Sequence, residues 1–202
     1  MSRKDMSDTA EGKKMDMPST AELEEELEHE EHREQSRHVL RNAVFALLTA
    51  AAAAILIATL IFPVFRIYGT SMTPTLTGGN IVMAVKTNRL KQGDLVAFYY
   101  NNKILVKRVI ATSGQWVNID DSGNVFVNDE LLDEPYVTQK SVGDCDIDLP
   151  YQVPDGTVFV MGDHRDVSID SRKRQIGPVS QDAIIGRLVL RIWPLRDLAI
   201  LK

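Results

Sequence analysis

Residues 104–110 read ILVKRVI, and this stretch decides how the second half of the chain is interpreted. β-Branched and large apolar residues favour a strand, and the period of two places Leu105, Lys107 and Val109 on the same face. An ammonium group between two apolar neighbours is poorly solvated unless its long side chain reaches water from an edge strand. The stretch therefore predicts a β-strand, with Lys107 either buried in its face or extended to solvent at an edge.

The same alternation recurs through most of the chain after Phe65. Seven further stretches read as strands: residues 64–68, 80–85, 94–99, 116–119, 124–127, 157–161 and 183–193. Turns rich in Gly, Asn, Asp and Pro separate them, and no amphipathic helical pattern lies between them. We therefore predict a mainly β domain over residues 65–202, a folded antiparallel sheet or small barrel with a minor β lobe inserted at about residues 113–152.

Residues 43–64 contain no charged side chain and read AVFALLTAAAAAILIATLIFPV. About twenty helical residues span roughly 30 Å, the thickness of a bilayer's hydrocarbon core. A cleaved signal sequence has a shorter apolar core, and a buried helix of a soluble protein is the remaining alternative. The run predicts one transmembrane helix, which Pro63 ends.

Residues 1–42 form an acidic tail, with seven basic and twelve acidic side chains. Its first eighteen residues predict disorder, and residues 21–41 predict a solvated acidic helix or, alternatively, a helix that docks a partner. Arg33, Arg37 and Arg41 precede the apolar run, whereas only Arg66 follows it closely. The positive-inside rule therefore predicts a single-pass protein with a cytoplasmic tail and an extracytoplasmic β domain.

Composition excludes several classes of function. The residues after the tail carry balanced charge, so no basic patch indicates a nucleic-acid partner. No cluster has metal-ligand spacing and no glycine-rich loop fits a phosphate, so we expect neither a metal nor another cofactor. His164 is the one histidine outside the tail, and Cys145, the single cysteine, forms no internal disulfide.

Two polar stretches offer groups for nucleophilic chemistry. Residues 68–76 read YGTSMTPTL, a hydroxyl-rich turn that contains Ser71, and residues 162–172 read GDHRDVSIDSR directly after a hydrophobic strand. A buried lysine has a lowered pKa, and its neutral amine can take a proton from a serine hydroxyl. The alternative is that Ser71 lies in an ordinary turn. The second stretch predicts partly buried ion pairs: Asp170 with Arg172, or Asp163 with Arg108.

Four segments together resemble the four ordered boxes of the bacterial type I signal peptidases. They are SMTPTL at 71–76, GDLV at 93–96, KRV at 107–109, and GD at 162–163 with SIDSR at 168–172. The resemblance implies that Ser71 is the nucleophile, that Lys107 is the general base and that Ser168 holds the lysine amine. It also implies that Asp163 with Arg108, and Asp170 with Arg172, brace the site, and that the Ser71 N–H donates to the oxyanion.

The resemblance further implies the substrates and the setting. The family cuts secretory preproteins after small residues of the Ala-x-Ala type at the cell membrane, so the bilayer is an expected partner and the secretion machinery another. An extended peptide would add beside residues 65–68, with pockets lined by Phe65, Ile67, Tyr68, Met72 and Leu105. Two positions depart from the family: His164 replaces a common Asn, and Gly69 replaces a serine that supplies a second oxyanion donor in some members.

The sequence also permits two other interpretations. The SOS-repressor autoproteases share the Ser-Met and Lys arrangement, although the apolar run and residues 162–172 argue against them. A membrane-tethered β domain without catalytic activity is the second.

Overall fold

The computed structural model describes residues 20–87 and 89–201, and it describes side chains from Arg37 onward. The disorder predicted for residues 1–18 therefore lies outside the described residues. The chain divides into two compact units: the first ends at Ala54, and the second begins at Ile55 and contains both β-sheets.

One long helix, α1, runs over Thr20–Ile61. The predicted acidic helix and the predicted transmembrane helix are thus one continuous element. The last bond of the helix type joins the Phe62 N–H to the Ala58 carbonyl at 2.8 Å, and Pro63 follows. The helix ends at Ile61, two residues before Pro63, and Val64 begins the first strand. Within residues 20–87 and 89–201, α1 alone is long and apolar enough to cross a membrane, over Arg37–Ile61.

After α1, the regular elements of the described chain are twelve strands and two short 3-10 helices. The strands are β1 Val64–Arg66, β2 Ile81–Val85, β3 Leu95–Tyr100, β4 Lys103–Thr112, β5 Trp116–Ile119, β6 Val125–Val127, β7 Glu130–Leu131, β8 Tyr151–Gln152, β9 Thr157–Met161, β10 Val179–Ser180, β11 Ile184–Trp193 and β12 Ala199–Ile200. The 3-10 helices cover Gln181–Ala183 and Leu195–Asp197. All eight predicted strands are present, and the four that sequence analysis missed are two residues long, too short for alternation to show.

The larger sheet has the strand order β1-β2-β11-β3-β4-β9-β10, with β12 paired to β11. Every pairing in it is antiparallel, which confirms the predicted mainly antiparallel β class. The strand predicted from residues 104–110 is an interior strand of this sheet: β4 pairs with β3 from Lys103 to Arg108 and with β9 from Arg108 to Thr112.

A second, smaller sheet has the order β7-β6-β5-β8 and is formed entirely within the stretch predicted as an inserted lobe. The two sheets share one apolar core. Ile110 and Phe159 from the larger sheet pack there with Val117 and Val125 from the smaller one, and all four are fully buried. Burying such side chains contributes roughly 1.5–3 kcal/mol each, so this contact fixes the smaller sheet on β4 and β9.

The turn between β5 and β6 packs closely against the backbone of Ser141. Gly123 has φ +78°, and a Cβ at this position would lie 2.6 Å from the Ser141 Cα. Gly114 has a similar φ of +81°, but nothing lies within 4 Å of its would-be Cβ. Alanine at either position carries the left-handed backbone penalty of about 1–2 kcal/mol. Gly123→Ala should lower the free energy of unfolding by a further 1–3 kcal/mol or so, because backbone must move.

Chemical denaturation of the two alanine variants in detergent measures this difference, with Gly114→Ala as the matched control. An equal decrease in the free energy of unfolding of the two variants would contradict the close approach of Ser141 to the turn.

Candidate active site

Ser71 lies in a tight turn that begins two residues after Ile67. The Leu76 N–H donates to the Met72 carbonyl at 2.8 Å, and both side chains are buried in the core of the larger sheet, with 0% and 2% exposure. The main chain of Ser71 is held from the other side, because its carbonyl accepts a hydrogen bond from the His164 N–H at 3.1 Å. The serine is therefore fixed between the sheet core and the segment that follows β9.

Lys107 lies in the middle of β4, opposite Val96 of β3, and only 3% of its surface is exposed. The possibility that it reaches solvent from an edge is therefore wrong. Its Nζ donates to the Ser168 hydroxyl at 2.9 Å. Burial disfavours the charged amine and lowers the pKa of Lys107 to about 8, although the nearby Asp170 carboxylate acts in the opposite direction.

Gly162 lies between the turn that carries Ser71 and Ser168, the residue that binds Lys107. A Cβ on Gly162 would lie 2.5 Å from the Ser71 carbonyl oxygen and closer still to the Ser168 hydroxyl oxygen. The glycine backbone thus fills a gap between Ser71 and Ser168 that has no room for a side chain. Since Ser168 accepts the hydrogen bond from Lys107, three of the predicted site residues form one cluster around Gly162.

Arg108 and Asp163 form the first of the two predicted ion pairs. The Arg108 Nε and Nη2 donate to the two carboxylate oxygens of Asp163 at 2.9 and 2.8 Å, a bidentate arrangement. Thr75, from the turn that carries Ser71, also donates its hydroxyl to this carboxylate. The exposed fractions of the paired side chains are 4% and 1%, so the pair is buried more completely than predicted.

Asp170 and Arg172 form the second predicted pair, and both side chains are fully buried. The guanidinium donates to the carboxylate at 2.8 and 2.9 Å, and the Gly162 N–H donates to the same carboxylate at 3.0 Å. Burial alone would raise the pKa of Asp170, but the hydrogen bonds and charge of Arg172 hold it below the usual value. The carboxylate is therefore ionised and directed at Gly162.

Three further residues that sequence analysis did not single out belong to this cluster. Arg165 and Glu134 form a third ion pair, with both side chains fully buried. Tyr136 lies with its ring centroid 3.8 Å from the Arg108 guanidinium carbon. Arg165 was inside the predicted polar segment without an assigned partner, and Glu134 looks like any other residue of an acidic loop.

A cleft of about 730 Å³ begins at Ser71. Its walls are residues 64–69 with Ser71 and Met72 on one side and residues 102–106 on the other. All five predicted substrate-binding residues line it: Phe65, Ile67, Tyr68, Met72 and Leu105. The lining is mainly apolar, and Tyr68 is 80% exposed at the rim. Of the residues that the structure describes, no group of three or more His, Cys, Asp and Glu is placed to hold a metal ion.

A family model described as signal peptidase, peptidase S26, matches residues 40–193. The chain belongs to this family. The resemblance in the four sequence segments is thereby confirmed. The segment at 93–96 also reaches the cluster, because the Gly93 carbonyl accepts a hydrogen bond from the Arg108 Nη1 at 2.8 Å.

Known relatives of this signal peptidase family member differ in length. Thylakoidal processing peptidase 1, chloroplastic, of Arabidopsis thaliana is 35% identical over 166 residues, which cover 74% of this chain and 47% of the plant protein. The chain thus spans about half the length of that relative. Signal peptidase I of Bacillus licheniformis is 31% identical over 185 residues, 84% of this chain and 97% of the relative. The crystal structure of a signal peptidase I from Enterococcus faecalis is 26% identical with a TM-score of 0.43, and the match covers 50% of this chain and 97% of that one.

The two positions that depart from the family pattern have distinct surroundings. His164 contributes its main-chain N–H to the Ser71 carbonyl, whereas its ring Nδ1 is buried without a hydrogen-bond partner among the described residues. Gly69 adopts φ +85° with open space around its would-be Cβ. The hydrogen bond from His164 to the Ser71 carbonyl is therefore independent of the histidine side chain.

The buried lysine predicts how the stability of this signal peptidase family member depends on pH. Lys107 titrates near 10.5 in the unfolded chain and near 8 in the folded chain, so between these pH values only the unfolded chain retains the proton. The contribution of Lys107 to the free energy of unfolding should therefore rise with pH through this window. The advantage of the wild type over Lys107→Met should grow by up to about 3 kcal/mol across it.

Equilibrium denaturation at several pH values measures this difference. Lys86→Met, which removes an exposed lysine, is the control for general charge effects. A difference between wild type and Lys107→Met that does not change with pH would show that Lys107 is not titrating in this range.

Proposed function

We propose that this chain is a membrane-anchored serine endopeptidase that removes signal peptides from secretory preproteins, with Ser71 as nucleophile and Lys107 as general base. The observation that carries the proposal is the buried Lys107 amine, with a pKa lowered to about 8 and grouped with Ser71 around Gly162. Membership of the signal peptidase family supports the substrate class. Ser/Lys hydrolysis requires a neutral amine that can take the proton of the serine hydroxyl, and burial favours the neutral form of Lys107.

The reaction begins with transfer of the Ser71 hydroxyl proton to the neutral Lys107 amine. The serine oxygen attacks the scissile carbonyl carbon, and the resulting ammonium returns the proton to the leaving amine as the C–N bond breaks. A water then gives its proton to Lys107 and attacks the acyl-enzyme, and the Ser71 oxygen recovers the proton as it leaves. The hydrogen bond from Lys107 to Ser168 keeps the amine oriented through both steps.

The developing oxyanion accepts a hydrogen bond from the Ser71 main-chain N–H. The turn that carries this group is fixed by the buried side chains of Met72 and Leu76 and by the bond from His164 to the Ser71 carbonyl. Gly69 offers no hydroxyl, so this chain lacks the side-chain donor that some family members use at that position.

Strand edges on both walls of the cleft suit an extended peptide. β1 is the first strand of its sheet, and β9 pairs only with residues from Arg108 onward, so residues 103–106 of β4 pair with β3 alone among the described strands. A preprotein segment between these edges would gain main-chain hydrogen bonds without a strict sequence requirement. Leu105 and Ile67 on the walls favour small apolar side chains, in keeping with cleavage after Ala-x-Ala.

The apolar part of α1 supplies the anchor in this proposal. Arg37–Ile61 is 25 residues long, more than the roughly 20 that a bilayer requires. With the acidic tail in the cytoplasm, the β domain lies on the far side, where signal peptides emerge. Confinement to the membrane raises the effective concentration of the enzyme beside its substrates.

The catalytic assignment predicts the outcome of two single substitutions. Ser71→Ala removes the nucleophile and Lys107→Met removes the base, so each should lower kcat for a preprotein with an Ala-x-Ala site by roughly 10³-fold or more. Cleavage by purified full-length protein in detergent, followed by gel, measures this loss. Ser122→Ala and Lys86→Met, both at exposed positions, are the matched controls and should cut normally.

The same assay tests the titration of the base. For the wild type, kcat/KM should rise about tenfold per pH unit at low pH and level off above the Lys107 pKa of about 8. EDTA should leave the rate unchanged. Full activity in Ser71→Ala or Lys107→Met, or a rate that is independent of pH, would be incompatible with the assigned dyad.

The proposed orientation predicts the labelling of the single cysteine. Cys145 is partly exposed in the β domain, so a membrane-impermeant maleimide should label it in intact spheroplasts. A variant with Cys145→Ser and Ser7→Cys carries its cysteine in the tail and should react only after lysis. The reverse pattern would place the tail outside and the β domain in the cytoplasm.

A further inference from the structure

The main chain of Gly162 is held by charged side chains on both sides. Its N–H donates to the Asp170 carboxylate at 3.0 Å, and its carbonyl accepts from the Arg165 Nε at 3.1 Å. A Cβ on this glycine would collide with both Ser71 and Ser168, so its backbone packs closely between the two residues. The position of Gly162 therefore sets the separation between the nucleophile turn and the residue that holds the base.

Arg165 is itself fixed by Glu134. The Arg165 Nη1 donates to one Glu134 oxygen at 3.2 Å and Nη2 to the other, and both side chains are fully buried. A guanidinium held by two parallel hydrogen bonds has a fixed plane, which aims its third donor, Nε, at the Gly162 carbonyl. Glu134 follows β7, so this restraint reaches the site from the smaller sheet.

Tyr136, two residues later, extends the same contact. Its hydroxyl donates to Glu134 at 3.2 Å, and its ring lies against the Arg108 guanidinium. Arg108 binds Asp163, the residue after Gly162. One short segment after β7 thus contacts the two guanidinium groups that restrain Gly162 and its neighbour.

We propose that Glu134 is a positioning residue for the reaction: through Arg165 it fixes the Gly162 peptide, and so the geometry of Ser71 relative to Ser168 and Lys107. This inference rests on the proposed peptidase function. A buried ion pair adds little net stability compared with apolar residues of the same size, so stability alone is a weak reason for this one. The contact that Arg165 makes with Gly162 gives it a role in the reaction, and the smaller sheet then forms part of the active site.

Arg165→Lys provides the first test, because it keeps the charge opposite Glu134 and removes the planar donor to Gly162. Misplacement by about 1 Å can slow catalysis up to a hundredfold, so kcat should fall roughly ten- to a hundredfold. KM should stay within about twofold, because neither residue lines the cleft. Glu134→Gln should lower kcat in the same way and to a smaller extent.

The double variant shows whether Glu134 acts through Arg165. Once Arg165→Lys has removed the restraint, adding Glu134→Gln should cause no further loss of kcat. Additive losses would overturn the proposal. If Arg165→Lys does not fold, Glu134→Gln decides alone, and normal kcat in that variant would overturn the proposal.

Two controls separate positioning from stability. Arg174→Lys alters an exposed ion pair with Asp148 and should leave kcat unchanged. Val125→Ala weakens the core of the smaller sheet without touching Gly162, and it should keep normal kcat at temperatures where it stays folded. If Val125→Ala lowered kcat as much as Arg165→Lys does, with the two variants compared at equal stability, the inference would be overturned. Failure of the wild type to cut would instead reject the proposed function itself.

Discussion

The burial of one amine, that of Lys107, is the constraint on which the site depends. Placing an ammonium in an apolar interior costs several kcal/mol, and a protein can offset this cost with a carboxylate partner or by leaving the amine neutral. The direct partner of this lysine is a neutral hydroxyl, Ser168. The two carboxylates that act on the lysine, Asp163 and Asp170, are each bound by an arginine. Arg108 and Arg172 therefore neutralise the two carboxylates that would otherwise favour the protonated amine.

The larger sheet places the buried Lys107 on the same strand as residues that line the cleft. β4 carries cleft-lining residues at its start and Lys107 near its middle, and β9 covers its second half only. One strand thus joins a wall of the cleft to a buried lysine within a few residues. The strand opposite across the cleft, β1, leads directly into the turn that carries Ser71. The order of the strands brings two segments together that are more than thirty residues apart in the chain.

Local patterns were sufficient to predict much of this arrangement. Alternation within residues 104–110 identified β4 and the face that carries Lys107, because strand periodicity is a property of neighbouring residues. The strands β7, β8, β10 and β12 were missed because two residues carry no period and form through long-range pairing. Glu134 was missed for a similar reason. An acidic residue in an acidic loop gives no local sign that an arginine thirty-one positions later will pair with it in the core.

Gly162 illustrates why the remaining part of the site needs three-dimensional information. The sequence identifies Gly162 as part of a family segment. The physical reason for a glycine at this position is that Ser71 and Ser168, which come from different parts of the chain, both approach it closely. Gly69 differs, because a positive φ and open surroundings make its requirement one of backbone conformation alone. A side chain at Gly69 would strain one turn, whereas a side chain at Gly162 would collide with both Ser71 and Ser168. The packing of Ser71 against Ser168 therefore depends on the absence of a side chain at Gly162.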